Sequence, residues 1–146
     1  MAIKTTAKKV YFDTNVLIYL IENHPTYRDK VISLIASLDE LNCEVITSEL
    51  TLAECLVKPL AQNNKQSQDV YTASIKNSDF LTVKPVSRKV LVEAARLRSV
   101  FNNKLPDSIH LATALTTGCD AFIGNDKKIK VGDSIELVIL DSYQVV

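Results

Sequence analysis

Short apolar runs rich in β-branched residues alternate along this chain with longer segments whose apolar positions recur every three or four residues. The first pattern is typical of buried strands, and the second of helices with one buried face. The strand-like runs are residues 9–13, 44–47, 80–83, 121–123 and 136–140. The helical segments are residues 14–22, 27–41, 49–59, a weakly amphipathic stretch ending near 75, 87–101 and 105–117. This alternation predicts an α/β fold with a mostly parallel sheet of four to five strands, flanked by helices.

Helix boundaries are marked by residues with a clear physical role. Pro106 in a first turn and Gly118 just past a last turn delimit the helix over 105–117. No internal repeat or change of composition divides the chain, so residues 1–146 are predicted to form a single domain. Side-chain hydroxyls that can cap three further helices are those of Thr26, Ser48 and Ser87.

Composition limits the class of protein. With 47% hydrophobic residues in 146, the chain can build a sizeable core. No apolar run reaches the roughly 20 residues that a membrane span needs, and the first residues do not resemble a secretory signal. Three widely spaced cysteines fit neither a disulfide framework nor a zinc site, and we expect them to be core residues. These features predict a cytoplasmic protein with no membrane partner.

The formal charge is balanced, with 17 basic and 17 acidic residues. This balance argues against a protein that coats nucleic acid electrostatically. It permits an acidic pocket beside a basic rim, because steering depends on how charge is distributed.

Four acidic residues lie at the boundaries of apolar segments, where a carboxylate is not needed for solubility. Asp13 separates a strand-like run from a helix, and Glu54 lies at the edge of a helix's apolar stripe. Asp107 opens a helix with little polar surface, and Asp126 follows a strand-like run. Open α/β sheets bind ligands beyond the carboxyl ends of their strands. All four acids are therefore candidates for one cleft.

A group of carboxylates in one cleft has a characteristic chemistry. Two of them about 4 Å apart repel by ~4 kcal/mol at an effective dielectric near 20, so such a group takes up protons or binds a cation. Mg²⁺ or Mn²⁺ accepts oxygen ligands, is held directly by one or two carboxylates and keeps several waters. Such an ion lowers the pKa of a bound water and stabilises charge on a phosphodiester, which indicates a hydrolase.

Each acid also has a purely structural explanation. Asp13 can cap the following helix, and Asp107 can stabilise the first turn of its own. Asp126 can be a turn residue beside Gly124, and Glu54 can be an ordinary solvent-facing glutamate. The pattern of each residue alone leaves both explanations open.

The segments that carry these acids resemble the PIN-domain family, and within it most closely the VapC-type toxin ribonucleases of toxin-antitoxin systems. Residues 10–15 resemble the first motif of the family and residues 47–54 the second. Residues 105–112 resemble the third motif and residues 122–126 the fourth. The resemblance extends over nearly the whole chain and implies the PIN-like three-layer α/β/α fold.

The resemblance also implies an activity and its residues. It implies a Mg²⁺- or Mn²⁺-dependent endoribonuclease that hydrolyses RNA with a metal-activated water, a homodimer, and a small antitoxin as partner. The implied catalytic and metal-binding residues are Asp13, Glu54, Asp107 and Asp126, with Asn15 and Asn125 as polar supports. One departure is Gly124, where the family commonly has Thr or Ser, so that a hydroxyl is missing.

Three further residues and two alternative protein classes bear on the predicted function. Lys127 and Lys128 follow Asp126 directly and are candidates for contacts with RNA phosphates, although a solvated turn also explains them. His110 lies one helical turn from Asp107, and we interpret it as a packed, hydrogen-bonded histidine. A phosphatase of the haloacid-dehalogenase type is disfavoured, because its general acid falls on Asn15. The remaining alternative is a catalytically weak PIN-like module that binds RNA or protein.

Overall fold

Five strands form one parallel sheet in the computed structural model, which describes residues 6–143. They are β1 (Lys9–Phe12), β2 (Glu44–Ser48), β3 (Leu81–Lys84), β4 (Ala121–Gly124) and β5 (Glu136–Ile139). Their order across the sheet is β3-β2-β1-β4-β5, and every pair of neighbours is parallel. The predicted parallel sheet is confirmed, with β1 at its centre.

Within residues 6–143, six α-helices cover the two faces of this sheet. They are α1 (Thr14–Ile21), α2 (Arg28–Glu40), α3 (Glu49–Ala61), α4 (Lys65–Ser74), α5 (Arg88–Phe101) and α6 (Leu105–Thr116). Val10 and Phe12 of β1 pack with α1 to α4 in one core cluster, while Tyr11 packs with α5 and α6 in a second. Alternate side chains thus enter opposite apolar layers, which explains why β1 reads as a continuous apolar run. The predicted three-layer α/β/α fold is confirmed.

The register of β1 positions the residues that follow it. Phe12 pairs with Ile123 of β4, and the Asp13 amide donates to the Ile123 carbonyl at 2.9 Å. On the other side, the Thr47 hydroxyl donates to the Phe12 carbonyl at 2.9 Å. The carboxyl ends of β1, β2 and β4 therefore meet at one edge of the sheet.

Two of the three predicted caps are confirmed. The Ser48 hydroxyl accepts a hydrogen bond from the Leu50 amide at the start of α3, and the Ser87 hydroxyl accepts one at the start of α5. The prediction that Thr26 caps α2 is wrong. Tyr27 is the N-cap residue, and it makes no side-chain hydrogen bond to the helix. His24 Nδ1 accepts from the main-chain amides of Thr26 and Tyr27 in the turn just before α2.

Some predicted boundaries also differ. The strand predicted over 9–13 ends at Phe12, because the next residue caps α1. Helix α3 runs through Pro59 to Ala61, and residues Leu140–Ser142 form a short 3₁₀ helix rather than the end of a strand. All three cysteines are free thiols. None of the helices within residues 6–143 is both long enough and apolar enough to cross a membrane.

Candidate active site

Asp13 lies at the junction between β1 and α1. It is buried, with 8% of its surface exposed. Its Oδ1 accepts a hydrogen bond from the Thr14 amide at 2.9 Å, so the carboxylate does cap α1. This cap explains the local geometry, but it leaves Oδ2 without a protein donor among the described hydrogen bonds.

His110 of α6 brings Asp13 and Glu54 together. Its Nε2 is 2.6 Å from Glu54 Oε1 and 3.6 Å from Asp13 Oδ1. The Thr14 hydroxyl donates to the same Glu54 oxygen at 2.7 Å. Because an ionised carboxylate can only accept, His110 donates through Nε2. Carboxylates from α3 and from the end of β1 thus share one imidazole.

The other side of the His110 ring is fixed by Tyr11. The Tyr11 hydroxyl is hydrogen-bonded to His110 Nδ1 at 2.6 Å, and the two rings meet edge to face. Tyr11 is fully buried and His110 is 1% exposed. A histidine that is hydrogen-bonded at both nitrogens inside the core has little freedom to rotate. It therefore holds the Glu54 carboxylate in a fixed position.

Buried hydroxyls join the strand ends to α3. Thr47 and Thr51 are hydrogen-bonded to each other at 2.7 Å, and both are fully buried. Thr47 also donates to the Phe12 carbonyl, one residue before Asp13. This network satisfies polar groups that burial would otherwise penalise, and it fixes α3 relative to β1.

Electrostatic effects in the cluster follow from burial and from shared charge. Burial, and secondarily the neighbouring carboxylates, raise the pKa of Asp13 above its usual value. Burial by itself raises the pKa of Glu54, but hydrogen bonds from His110 and Thr14 bring it below the usual value. Burial by itself lowers the pKa of His110, but Glu54 and Asp13 raise it above the usual value. Burial and the mutual interaction of the three groups therefore shift the pKa of each of them.

Asp107 and Asp126 lie farther along the same edge. Asp107 is half-buried in the first turn of α6, and burial together with Asp126 raises its pKa. It also interacts with Glu54 and Asp13. Asp126 is exposed, and its Oδ1 accepts from the Lys128 amide at 2.9 Å, as expected for a turn residue. The structure thus gathers Asp13, Glu54 and Asp107, and it connects Asp126 to them through Asp107.

The fit of these residues to a metal ion is partial. Within residues 6–143, no group of three or more histidine, cysteine, aspartate or glutamate side chains is arranged to bind one ion directly. Asp13 Oδ2 and the Asp107 carboxylate accept none of the described hydrogen bonds, whereas Glu54 Oε1 accepts two. This donor set fits a Mg²⁺-like ion with one or two direct carboxylates and a shell of water.

The predicted supporting and RNA-contacting residues have varied surroundings. Asn15 is exposed, and among the described residues its side chain makes no hydrogen bond. Asn125 donates to the Tyr19 hydroxyl and accepts from the Asp141 amide, so its hydrogen bonds go to α1 and to the end of β5 rather than to the acids. Lys127 forms an exposed ion pair with Asp141 at 3.1 Å. Lys128 is exposed.

Gly124 lies directly against the first acid. A Cβ atom built at this position would be 3.3 Å from Asp13 Oδ2 and 3.4 Å from Asp13 Cβ. The shorter distance is tighter than ordinary van der Waals contact. With a larger residue here, either the Asp13 carboxylate or the main chain at position 124 would have to shift. At the position where the sequence lacks the family's hydroxyl, Asp13 therefore packs directly against the main chain.

Sequence reasoning missed the part played by His110, Tyr11 and Thr14. His110 was expected to be packed and hydrogen-bonded, which is correct, but its partners are two of the predicted acids. The spacing of Asp107 and His110 on α6 was an available signal, since residues three apart lie on the same side of a helix. No sequence signal distinguished Tyr11 from the apolar residues on either side of it in β1.

Comparison with known proteins agrees with this architecture. Residues 10–133 match the family profile described as PIN domain. Comparison with curated proteins found no match.

Three solved structures have the same fold. VapBC2 of Rickettsia felis, bound to a DNA fragment from their promoter, matches with a TM-score of 0.70 at 20% identity, covering 90% of this chain and 98% of the other. VapC20 of Mycobacterium tuberculosis, a sarcin-ricin loop cleaving toxin, matches with a TM-score of 0.67 at 17% identity, covering 81% and 90%. A toxin-antitoxin complex of Klebsiella pneumoniae matches with a TM-score of 0.59 at 24% identity, covering 82% and 88%. Because the profile spans well over half of the sequence, the chain belongs to the PIN domain family.

Proposed function

We propose that this protein is an endoribonuclease, the toxin of a toxin-antitoxin pair, and that it depends on Mg²⁺ or Mn²⁺. The observation that carries the proposal is the meeting of Asp13 and Glu54 at one buried histidine at the carboxyl edge of the sheet, with Asp107 near enough to interact with them electrostatically. Carboxylates that lie near one another at a partly buried site favour a divalent cation. Membership of the PIN family and the VapC-like fold support hydrolysis of RNA as the reaction.

The residues have distinct roles in this proposal. Asp13 and Asp107 would hold the ion, since their carboxylates have oxygens free of described protein donors. When bound, such an ion activates water and stabilises charge on the scissile phosphate. Glu54, kept ionised and oriented by His110 and Thr14, orients water molecules in the cleft. Asp126 adds negative charge beside Asp107, and Lys128 contacts the RNA backbone.

The proposed partner proteins follow from similarity to other proteins and not from the geometry of the site. A homodimer is expected from the resemblance to VapC-type toxins. An antitoxin is supported by neighbours of the same fold that are toxin-antitoxin complexes. A cytoplasmic location is consistent with an RNA substrate and with three free thiols.

Metal dependence is the first test of this proposal. Purified protein is incubated with single-stranded and structured RNAs in Mn²⁺ or Mg²⁺, in EDTA alone, and in EDTA followed by excess Mn²⁺. We expect cleavage in either metal, none in EDTA, and recovery when Mn²⁺ is restored, because the carboxylates need the cation to act. Cleavage that persists in EDTA would contradict the mechanism. RNA binding without turnover in any metal would instead favour the catalytically weak binding module.

A further inference from the structure

Three aromatic side chains form a cluster outside the acidic site. The rings of Tyr19 and Tyr27 stack at a centroid distance of 4.8 Å with 29° between their planes. The His24 ring is 4.8 Å from Tyr19 and 5.0 Å from Tyr27. All three side chains are partly exposed, and both tyrosines also pack against the core. We call these three residues the aromatic cluster.

Local structure holds the aromatic cluster rigidly. Helix α1 ends in a left-handed turn at Asn23, with φ of 54°, and the His24 amide donates to the Tyr19 carbonyl at 2.9 Å. This turn folds His24 back over the end of α1. His24 Nδ1 then accepts from the Thr26 and Tyr27 amides, so its ring proton is on Nε2. The rings are therefore ordered before any ligand arrives.

Two hydrogen bonds place the aromatic cluster at the same edge of the sheet as the acids. Asn125, the residue before Asp126, donates to the Tyr19 hydroxyl at 3.3 Å. The Tyr27 hydroxyl donates to Asp141, just after β5, at 3.0 Å. Both partners follow the carboxyl ends of neighbouring strands. A ligand that contacts the cluster is thus at the same edge of the sheet as the acidic site.

Basic groups lie beside the aromatic cluster, together with acidic ones. Asp141 is its acidic partner, and two lysines gather on the same short segment. Lys127 pairs with the Asp141 carboxylate, and Lys30 donates to the carbonyls of Leu140 and Asp141. Lys128 adds a further exposed positive charge. The Nε of Arg28, next to Tyr27, is buried without a hydrogen-bond partner among the described residues.

We propose that the aromatic cluster stacks an unpaired base of single-stranded RNA beside the acidic site. Proteins recognise unpaired bases by stacking them on Tyr, Phe or His rings, while neighbouring basic groups hold the phosphates. A preorganised ring surface at the same edge as the acids fits this use. The inference rests on the proposed function, since it makes the cluster a substrate-binding part of the same site.

The test measures RNA affinity without cleavage. A short fluorescein-labelled single-stranded RNA is titrated in EDTA with the Asp13→Asn protein, and Tyr27→Leu or Tyr19→Leu is added to that background. Each leucine variant is expected to raise the Kd by about fivefold to a hundredfold, as loss of one stacked base does. Tyr27→Phe keeps the ring and loses only the hydrogen bond to Asp141, so it is expected to retain affinity.

A matched control uses an exposed aromatic at the opposite edge. Phe80 is 39% exposed and precedes β3, so Phe80→Leu removes a similar ring away from the carboxyl edge. Its Kd is expected to be unchanged. Leucine variants that bind as tightly as the parent would overturn the proposal. Equal losses in Tyr27→Leu and Tyr27→Phe would also overturn it, because the hydroxyl rather than the ring would then matter.

Photocrosslinking gives an answer even if a leucine variant does not fold. RNA carrying 5-iodouridine is irradiated with the parent protein and the linked peptide is mapped. Attachment within residues 19–27 is expected, and attachment only elsewhere would overturn the proposal. Cleavage by the wild-type protein in Mn²⁺ is measured separately. Binding through the cluster without cleavage would remove the nuclease proposal alone, whereas cleavage with unaltered affinity of the variants would remove the stacking proposal alone.

Discussion

Replacing Asp13 by asparagine is expected to lower RNA cleavage about a hundredfold or more while leaving the fold intact. Even the groups that orient metal ligands are worth roughly 10- to 100-fold in activity, so loss of a ligand charge should have at least that effect. Asparagine retains the oxygen that accepts from the Thr14 amide and is as good a helix cap as aspartate. Single-turnover cleavage in Mn²⁺ measures the loss.

The same substitution is expected to leave the metal-free protein at least as stable as wild type at pH 7. Burial raises the pKa of Asp13 in the folded protein above 3.8, its value in an unperturbed carboxyl. The folded state therefore holds this proton more tightly, and stability falls as pH rises from that value through the folded pKa. The charged carboxylate therefore costs stability once the pH exceeds the folded pKa, and an uncharged asparagine does not have this cost. Thermal unfolding followed by circular dichroism measures the change.

Asp133→Asn is the matched control for this prediction. Asp133 is exposed and outside the cluster, so its neutralisation is expected to change neither cleavage nor melting temperature. Wild-type cleavage rates in Asp13→Asn would show that Asp13 is only a helix cap. That outcome would favour the structural explanation of Asp13, a helix cap without a catalytic role, which the sequence left open.

Replacing His110 by alanine is expected to destabilise the protein and to reduce cleavage. The side chain is 1% exposed, and its removal leaves a cavity and a fully buried Tyr11 hydroxyl without its present partner. A cavity with an unsatisfied polar group costs about 2–4 kcal/mol. For a chain of this length, that corresponds to a fall in melting temperature of about 5–15 °C. Glu54 also loses one of its two donors and keeps only Thr14, so cleavage well below the melting temperature should fall about 10- to 100-fold.

A double-mutant cycle with Tyr11→Phe separates the two effects. In wild type, Tyr11→Phe removes the hydrogen bond to His110 Nδ1. In the His110→Ala background it removes a hydroxyl that has already lost its His110 partner, so it is expected to cost less there. Additive losses in the melting temperature would show that Tyr11 and His110 do not act as a unit. Cleavage unchanged in His110→Ala would show that Glu54 needs no positioning.

The fold was accessible from sequence because its signals are local. Strand and helix periods, Ser48 and Ser87 as caps and Gly118 as a stop each depend on neighbouring residues. The turn before α2, in which His24 Nδ1 accepts from the Thr26 and Tyr27 amides, was not accessible, because an imidazole that bonds across a proline has no periodic signature. The order of strands was likewise beyond a periodic pattern, which reports burial but not which strands pair.

The sequence predicted the acids of the candidate site, but it did not predict the side chains that connect them. Asp13, Glu54 and Asp107 stood out as charges at apolar boundaries, and the structure places them close enough to interact. Their shared partner His110 lies on a helix whose residues are buried nearly all round, where a histidine looks like one more core residue. Its contacts to Tyr11 and Glu54 join β1, α3 and α6, and such long-range contacts arise only from tertiary packing.

Manganese binding in the crystal tests the account most directly. Crystals of the wild-type and Asp13→Asn proteins are soaked in Mn²⁺, and anomalous difference maps are calculated from data collected near the manganese absorption edge. We predict a peak bound by the carboxylates of Asp13 and Asp107 in the wild type and its loss in Asp13→Asn. No peak at saturating Mn²⁺, or a peak only at acids outside the cluster such as Asp133, would contradict the assignment of this site as a metal-dependent catalytic centre.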